Sequence, residues 1–344
     1  MDNKFGRVWT FLLIGVISLL YAEVFSGSSP LWFIKPSSIL ITLPFYILHI
    51  VFFLNIAIKF HRTNTLSLYH LGVIYGLYES WFTTVILYGY INKTPVLGSL
   101  LGISMWEFTV LVFFWHPVMS FIMTIITFQS LTGENNLLFG VPILNSNRLI
   151  TRIIWFALLF LGASVLSMYT HFNILVSMGS YLGTLALMYL FYIASKKSGT
   201  LNIESLIVGN KSLMFVGFII LFLYLIGFYY HSKGNIVDYK ALLVIFGFYI
   251  LEALMFHLSE KTNCNEVSVS FPNIKNLQKF FTIAATLILV NCLFAEIVYP
   301  LDVILTLTFS LLGSLLFLSV TILTIKNKIH NHQTSYDADL AIST

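Results

Sequence analysis

Ten apolar stretches, each close to the length of a bilayer-spanning helix, recur along the 344-residue chain: 8–24, 38–58, 66–91, 98–127, 149–169, 173–195, 212–231, 239–258, 278–299 and 302–325. A spanning helix needs about 20 mostly apolar residues. In hydrocarbon a run of that length satisfies its own backbone N–H and C=O groups by coiling into a helix. The sequence therefore predicts an all-α fold, a polytopic integral membrane helical bundle with ten transmembrane helices, in the cell membrane. Composition agrees: 58% of residues are hydrophobic and 9% charged, against about 25% charged in ordinary soluble domains. No connecting segment is long enough for a soluble domain. Residues 1–328 read as a single transmembrane domain, and 329–344 as a polar, disordered cytoplasmic tail.

Basic residues set the orientation, because loops rich in Lys and Arg stay cytoplasmic. With the N-terminus inside, fourteen of the eighteen Lys and Arg fall in inner segments, and only Lys35, Lys93, Lys233 and Lys240 fall outside. The expected topology is N-in, C-in. The net charge of +4 is spread singly through loops, which is not the clustered patch that nucleic acid requires. Two cysteines, Cys264 and Cys292, supply no disulfide framework or cysteine metal cluster. No phosphate-cradling G-x-x-x-x-G-K-[ST] loop occurs. The expected partners are the lipid bilayer and a small solute or ion, with no cofactor; the sequence carries no signal for oligomeric state.

Lys4 and Arg7 ahead of the first run, and Val24-Phe-Ser26 ahead of Gly27, have the form of an export signal. Glu23 just before that cut and the imperfect small-residue pattern favour a retained first helix, turned by Ser26-Gly-Ser-Ser-Pro30.

An ionisable side chain within a bilayer is costly and normally faces the bundle interior with a partner. Glu79 lies near the centre of the third span, His49 near that of the second, and His116 just past that of the fourth. Glu107 lies about nine residues into the fourth span, while Glu23 and Glu296 end the first and ninth at the outer side. Four acids in the outer half, Glu23, Glu79, Glu107 and Glu296, predict an acidic cavity opening outward. At 100° per residue, Thr109, His116, Ser120, Thr124 and Thr127 fall within about 80° of one another, a polar stripe leading inward from it. Pro117 removes the bond to the Phe113 carbonyl and kinks the span beside His116. Gly72, Gly76 and Ser80, spaced by four, form a small-residue face that admits a close neighbouring helix, with Glu79 and Thr83 beside it. The structural alternative for Glu79 is a protonated carboxyl acting as glue across that contact. His49, flanked by Thr42 and Tyr46 on its own face, reads as a satisfied core histidine. Glu252 and His257, five residues apart in the eighth span, do not share a face.

Glu23-Val-Phe-Ser-Gly-Ser-Ser-Pro30, Tyr75-Gly-Leu-Tyr-Glu79, and Trp106 followed by His116 together resemble a group of uncharacterised prokaryotic multi-pass membrane proteins. The resemblance covers the first 120 residues or so and implies no activity. That group tends to carry two adjacent glutamates in the third span where this chain has Tyr78-Glu79, which weighs against a paired-carboxylate site. A family of intramembrane proteases also combines span glutamates with histidines, but its Phe-x-x-x-His motif is not met, since Val112 stands at the Phe position.

The leading expectation is a secondary transporter or permease-like protein in which Glu79, with Glu107, changes protonation or holds a cation, while Thr109, Ser120 and Thr124 line the route. The alternatives are an intramembrane metal-dependent or acid/base hydrolase, with Glu79, His116 and His49 as candidate metal ligands, and a non-catalytic membrane assembly protein. Solute-dependent flux, hydrolysis of a lipid or peptide, and folding defects without loss of activity distinguish the three.

Overall fold

The computed structural model describes residues 4–89, 94–133, 149–232, 238–261, 274–295 and 301–343. Glu296 and Cys264 lie outside these described residues. The chain is an all-α polytopic membrane bundle. Among the described residues, seven helices are long and apolar enough to cross a membrane: Phe5–Val24, Ser38–Lys59, Met105–Thr132, Ile174–Lys197, Asn210–Gly227, Tyr239–Leu258 and Leu307–His330. Shorter apolar helices cover Ile153–Tyr169 and Leu277–Leu293. Large apolar side chains such as Phe215, Phe218, Leu243 and Phe246 are exposed along these helices, as expected where lipid is the solvent.

The chain divides into two compact units: residues 1–55, 119–220 and 264–305, and residues 56–118, 221–263 and 306–344. In the first, α1 (Lys4–Leu19) packs against α8 (Ile174–Lys197) and α6 (Thr124–Thr132), and α7 (Leu149–Tyr169) against α11 (Ile274–Leu293). Leu13, Ile14, Val16, Ile17, Leu19 and Leu20 of the first helix are fully buried. In the second, α3 (Thr65–Phe82) packs against α10 (Tyr239–Leu258). The Asn64 side chain starts α3 by accepting from the Ser67 N–H, and Asp238 does the same for α10 at Lys240 N. Each satisfies one of the N–H groups that a helix start leaves without a partner.

Two expected spans have different ends. The third was expected to run to 91, but α3 stops at Phe82: Thr84 is left-handed at φ 62°, and the Thr83 hydroxyl donates back to the Glu79 carbonyl. Only a four-residue turn, α4 (Val85–Tyr88), follows. The fourth was expected from 98, yet Ser99–Leu100 (β1) and Ile103–Ser104 (β2) form a small antiparallel hairpin. Its turn places Leu101 and Gly102 both at positive φ, the geometry of a tight two-residue hairpin turn. Hydropathy alone sees neither break, because the residues remain apolar across both. The helix proper starts with α5 (Met105–Glu107) and continues through a π-helical stretch, Phe108–Met123, into α6. The final helix, α12, covers Leu301–Ser343, and residues 329–343 contain neither Gly nor Pro.

Candidate functional site

The site is built on the small-residue face of α3. A Cβ placed on Gly72 would stand 2.5 Å from the Pro117 Cα, and one on Gly76 would stand 3.1 Å from both His116 Cβ and Val112 Cα. Neither approach tolerates a larger residue without movement, so the two glycines set how closely the Phe108–Met123 segment lies on α3. Glu79, one turn beyond Gly76, thereby reaches His116: Oε2 of the carboxylate is 2.7 Å from Nε2 of the imidazole. Their side chains are 11% and 4% exposed. The Tyr75 ring lies 5.6 Å from the imidazole, tilted by 58°.

Pro117 has no N–H to donate, and near it the Tyr69 hydroxyl, also from α3, donates to the Phe113 carbonyl at 2.7 Å. Proline in a membrane helix is tolerated where neighbouring helices satisfy backbone groups around it. Wide-turn π geometry is rare in proteins and concentrates at functional sites. It also rotates each residue by less than an α-helix does, so the 100° projection of a single polar stripe does not hold over Phe108–Met123.

The residues of the expected stripe fall in both compact units. Thr109 and His116 belong to the second unit, where the Thr109 hydroxyl contacts Ser310 Oγ at 2.9 Å and donates to the Met105 and Trp106 carbonyls. Ser120, Thr124 and Thr127 belong to the first. There the Thr124 hydroxyl donates to the Ser120 carbonyl at 2.7 Å, and Thr127 Oγ1 meets the Tyr21 hydroxyl at 2.7 Å. All three are fully buried.

Of the other acids, Glu107 and Glu23 have hydrogen-bond partners nearby. Glu107 is fully buried and accepts from the Val96 N–H at 3.2 Å, tying the segment before the hairpin to the start of the helix. Glu23, in the first unit, accepts from the Tyr46 hydroxyl at 2.6 Å on Oε1 and from the Ser28 hydroxyl at 2.5 Å on Oε2. Gly27 permits that return of the chain: its φ is +70°, and a Cβ there would lie 2.4 Å from Tyr169 Cβ. His49 is buried, with Nδ1 2.7 Å from the Phe45 carbonyl of its own helix and its ring against Phe45. Among the described residues no three His, Cys, Asp or Glu gather where they could hold a metal ion.

A family of uncharacterized membrane proteins matches residues 12–333 of this sequence, across both compact units. The chain belongs to that family. Its membership agrees with the resemblance carried by the Glu23–Pro30, Tyr75–Glu79 and Trp106–His116 segments. An uncharacterized protein of Archaeoglobus fulgidus is 33% identical over 133 residues, 37% of this chain and 40% of that relative. The match thus spans well under half of the relative's length. No solved structure matches this chain.

One pair escaped the sequence reading. His70 Nδ1 lies 2.7 Å from Glu252 Oε2, and both side chains are fully buried. His70 lies only a few residues into the expected third span, where an interfacial position is the ordinary reading. Its partner is 182 residues away. The one available signal was Glu252 itself, an acid within an apolar run and hence in need of a partner.

Proposed function

We propose that this protein is a secondary transporter, permease-like in organisation, in which the Glu79–His116 pair takes up and releases a proton or cation as a small solute moves. In this reading ten helices cross the membrane, with both termini cytoplasmic. The observation that supports it is the 2.7 Å carboxylate–imidazole contact within a membrane bundle, made by a histidine inside a proline-containing π-helical segment. Transporters often place substrate and ion sites where membrane helices are discontinuous, because freed backbone groups and helix ends there act as ligands. Ionisable residues retained within a membrane are associated with ion and proton pathways. Glu107 and Glu23 act in this reading as supports, one holding the Val96 segment and the other the Ser28 loop, so the working group narrows from an acid-lined cavity to one pair.

The test is solute-dependent proton or ion flux in proteoliposomes, across a panel of amino acids, sugars, carboxylates and alkali cations. A response that Glu79→Gln removes supports transport. Flux indistinguishable from empty liposomes over the whole panel overturns it. The second reading is an acid/base hydrolase, since an imidazole against a carboxylate can serve as a general base. It expects release of a lipid or peptide product that His116→Ala abolishes.

A further inference from the structure

We infer that His70, Glu252 and Thr324 form a second, fully enclosed proton-binding site, distinct from Glu79–His116. The three come from α3, α10 and α12. Nδ1 of His70 stands 2.7 Å from Glu252 Oε2, and Nε2 stands 3.0 Å from Thr324 Oγ1. His70 and Glu252 are wholly buried and Thr324 nearly so.

The choice of partners carries the inference. A hydroxyl both donates and accepts, whereas a carboxylate only accepts. With His70 neutral, Nδ1–H donates to Glu252 and Nε2 accepts the Thr324 O–H. When a proton adds to Nε2, the new N–H donates to the same oxygen. The Thr324 O–H then turns to a backbone carbonyl of its own helix, which lies within reach of a helical threonine. One proton is gained, the net charge of the site rises by one, and neither ring nitrogen loses its partner. Glu252 Oε2 holds Nδ1–H throughout. Glu252 Oε1, also buried, has no hydrogen-bond partner among the described residues, so its carboxylate is less than fully stabilised unless a cation stands beside it. An imidazolium at His70 supplies that cation.

Tyr69, beside His70 on α3, has its hydroxyl committed to the Phe113 carbonyl and not to the pair.

The experiment is a pH titration of the full-length protein, labelled with 15N-histidine and held in lipid nanodiscs, by solid-state NMR. His70 is assigned as the signal lost in His70→Gln. Between about pH 5 and 10 its ring should change protonation state, and in Glu252→Gln the midpoint should fall by about one unit or more, because the stabilising anion is gone. Thr324→Val should lower it too, whereas Thr324→Ser should restore the wild-type midpoint. Glu79→Gln should leave this signal unmoved. A His70 ring fixed in one state over the range overturns the site. If Glu252→Gln fails to fold, Thr324→Val decides: an unchanged midpoint overturns it and a lowered one supports it. The readout involves no solute, so it stands or falls separately from transport.

Discussion

Glu79 on α3 and His116 beside Pro117 meet at 2.7 Å because Gly72 and Gly76 let the two helices approach where any larger residue would hold them apart. A pair of ionisable groups with little access to water is strongly coupled: removing one partner leaves the other without its counter-group in a low-dielectric setting.

His116→Ala should therefore destabilise the protein by about 3 kcal/mol, and Glu79→Gln by less, since an amide still offers a polar partner to the ring. Adding Glu79→Gln to His116→Ala should recover part of the loss. A double-mutant cycle of unfolding free energies in detergent checks this, with a coupling near zero as the contrary result.

Gly72→Ala should cost about 1–3 kcal/mol by overpacking, since its Cβ would meet backbone at Pro117 and not a side chain that could turn away. Gly76→Ala, with its nearest contacts at 3.1 Å, should cost less. Both should weaken Glu79–His116 coupling. Thermal melting of the two variants in one detergent gives the order directly.

Tyr69→Phe removes the hydroxyl that donates to the Phe113 carbonyl and should cost about 1 kcal/mol, the net worth of a buried hydrogen bond. Thermal melting of Tyr69→Phe beside the wild type in one detergent checks it, and an unchanged midpoint would contradict the pairing.

Tyr46→Phe should lower stability by about 1–2 kcal/mol, because it strips one of the two hydroxyls that hold Glu23. Ser28→Ala should free the Ser26–Pro30 turn, read as faster protease cutting there with the rest of the chain intact. Unchanged digestion would mean that Ser28 does not fasten the loop.

One link of this site was legible along the chain. The four-residue spacing of Gly72, Gly76 and Ser80 named the contact face, a short-range consequence of residue type. The donor to the Phe113 carbonyl was not legible, since Tyr69 and Phe113 are 44 residues apart. Neither was the π-helical geometry of Phe108–Met123, because it depends on packing and leaves no periodic mark in an apolar segment. The contact of Glu107 with the Val96 N–H was equally hidden, since it is set by where the hairpin returns the chain.

The sequence by itself determined the solvent and the secondary structure: long apolar runs dissolve in lipid, and in lipid they must coil into helices to satisfy their backbones. It also determined which side chains are costly there, and hence which must find partners. Only the tertiary structure decided who those partners are. Glu79 with His116, Glu252 with His70, and Glu23 with Tyr46 and Ser28 all involve groups brought together by the fold. A helix's amphipathic pattern reports one face of itself, while a buried charge is satisfied by whichever face the fold sets against it.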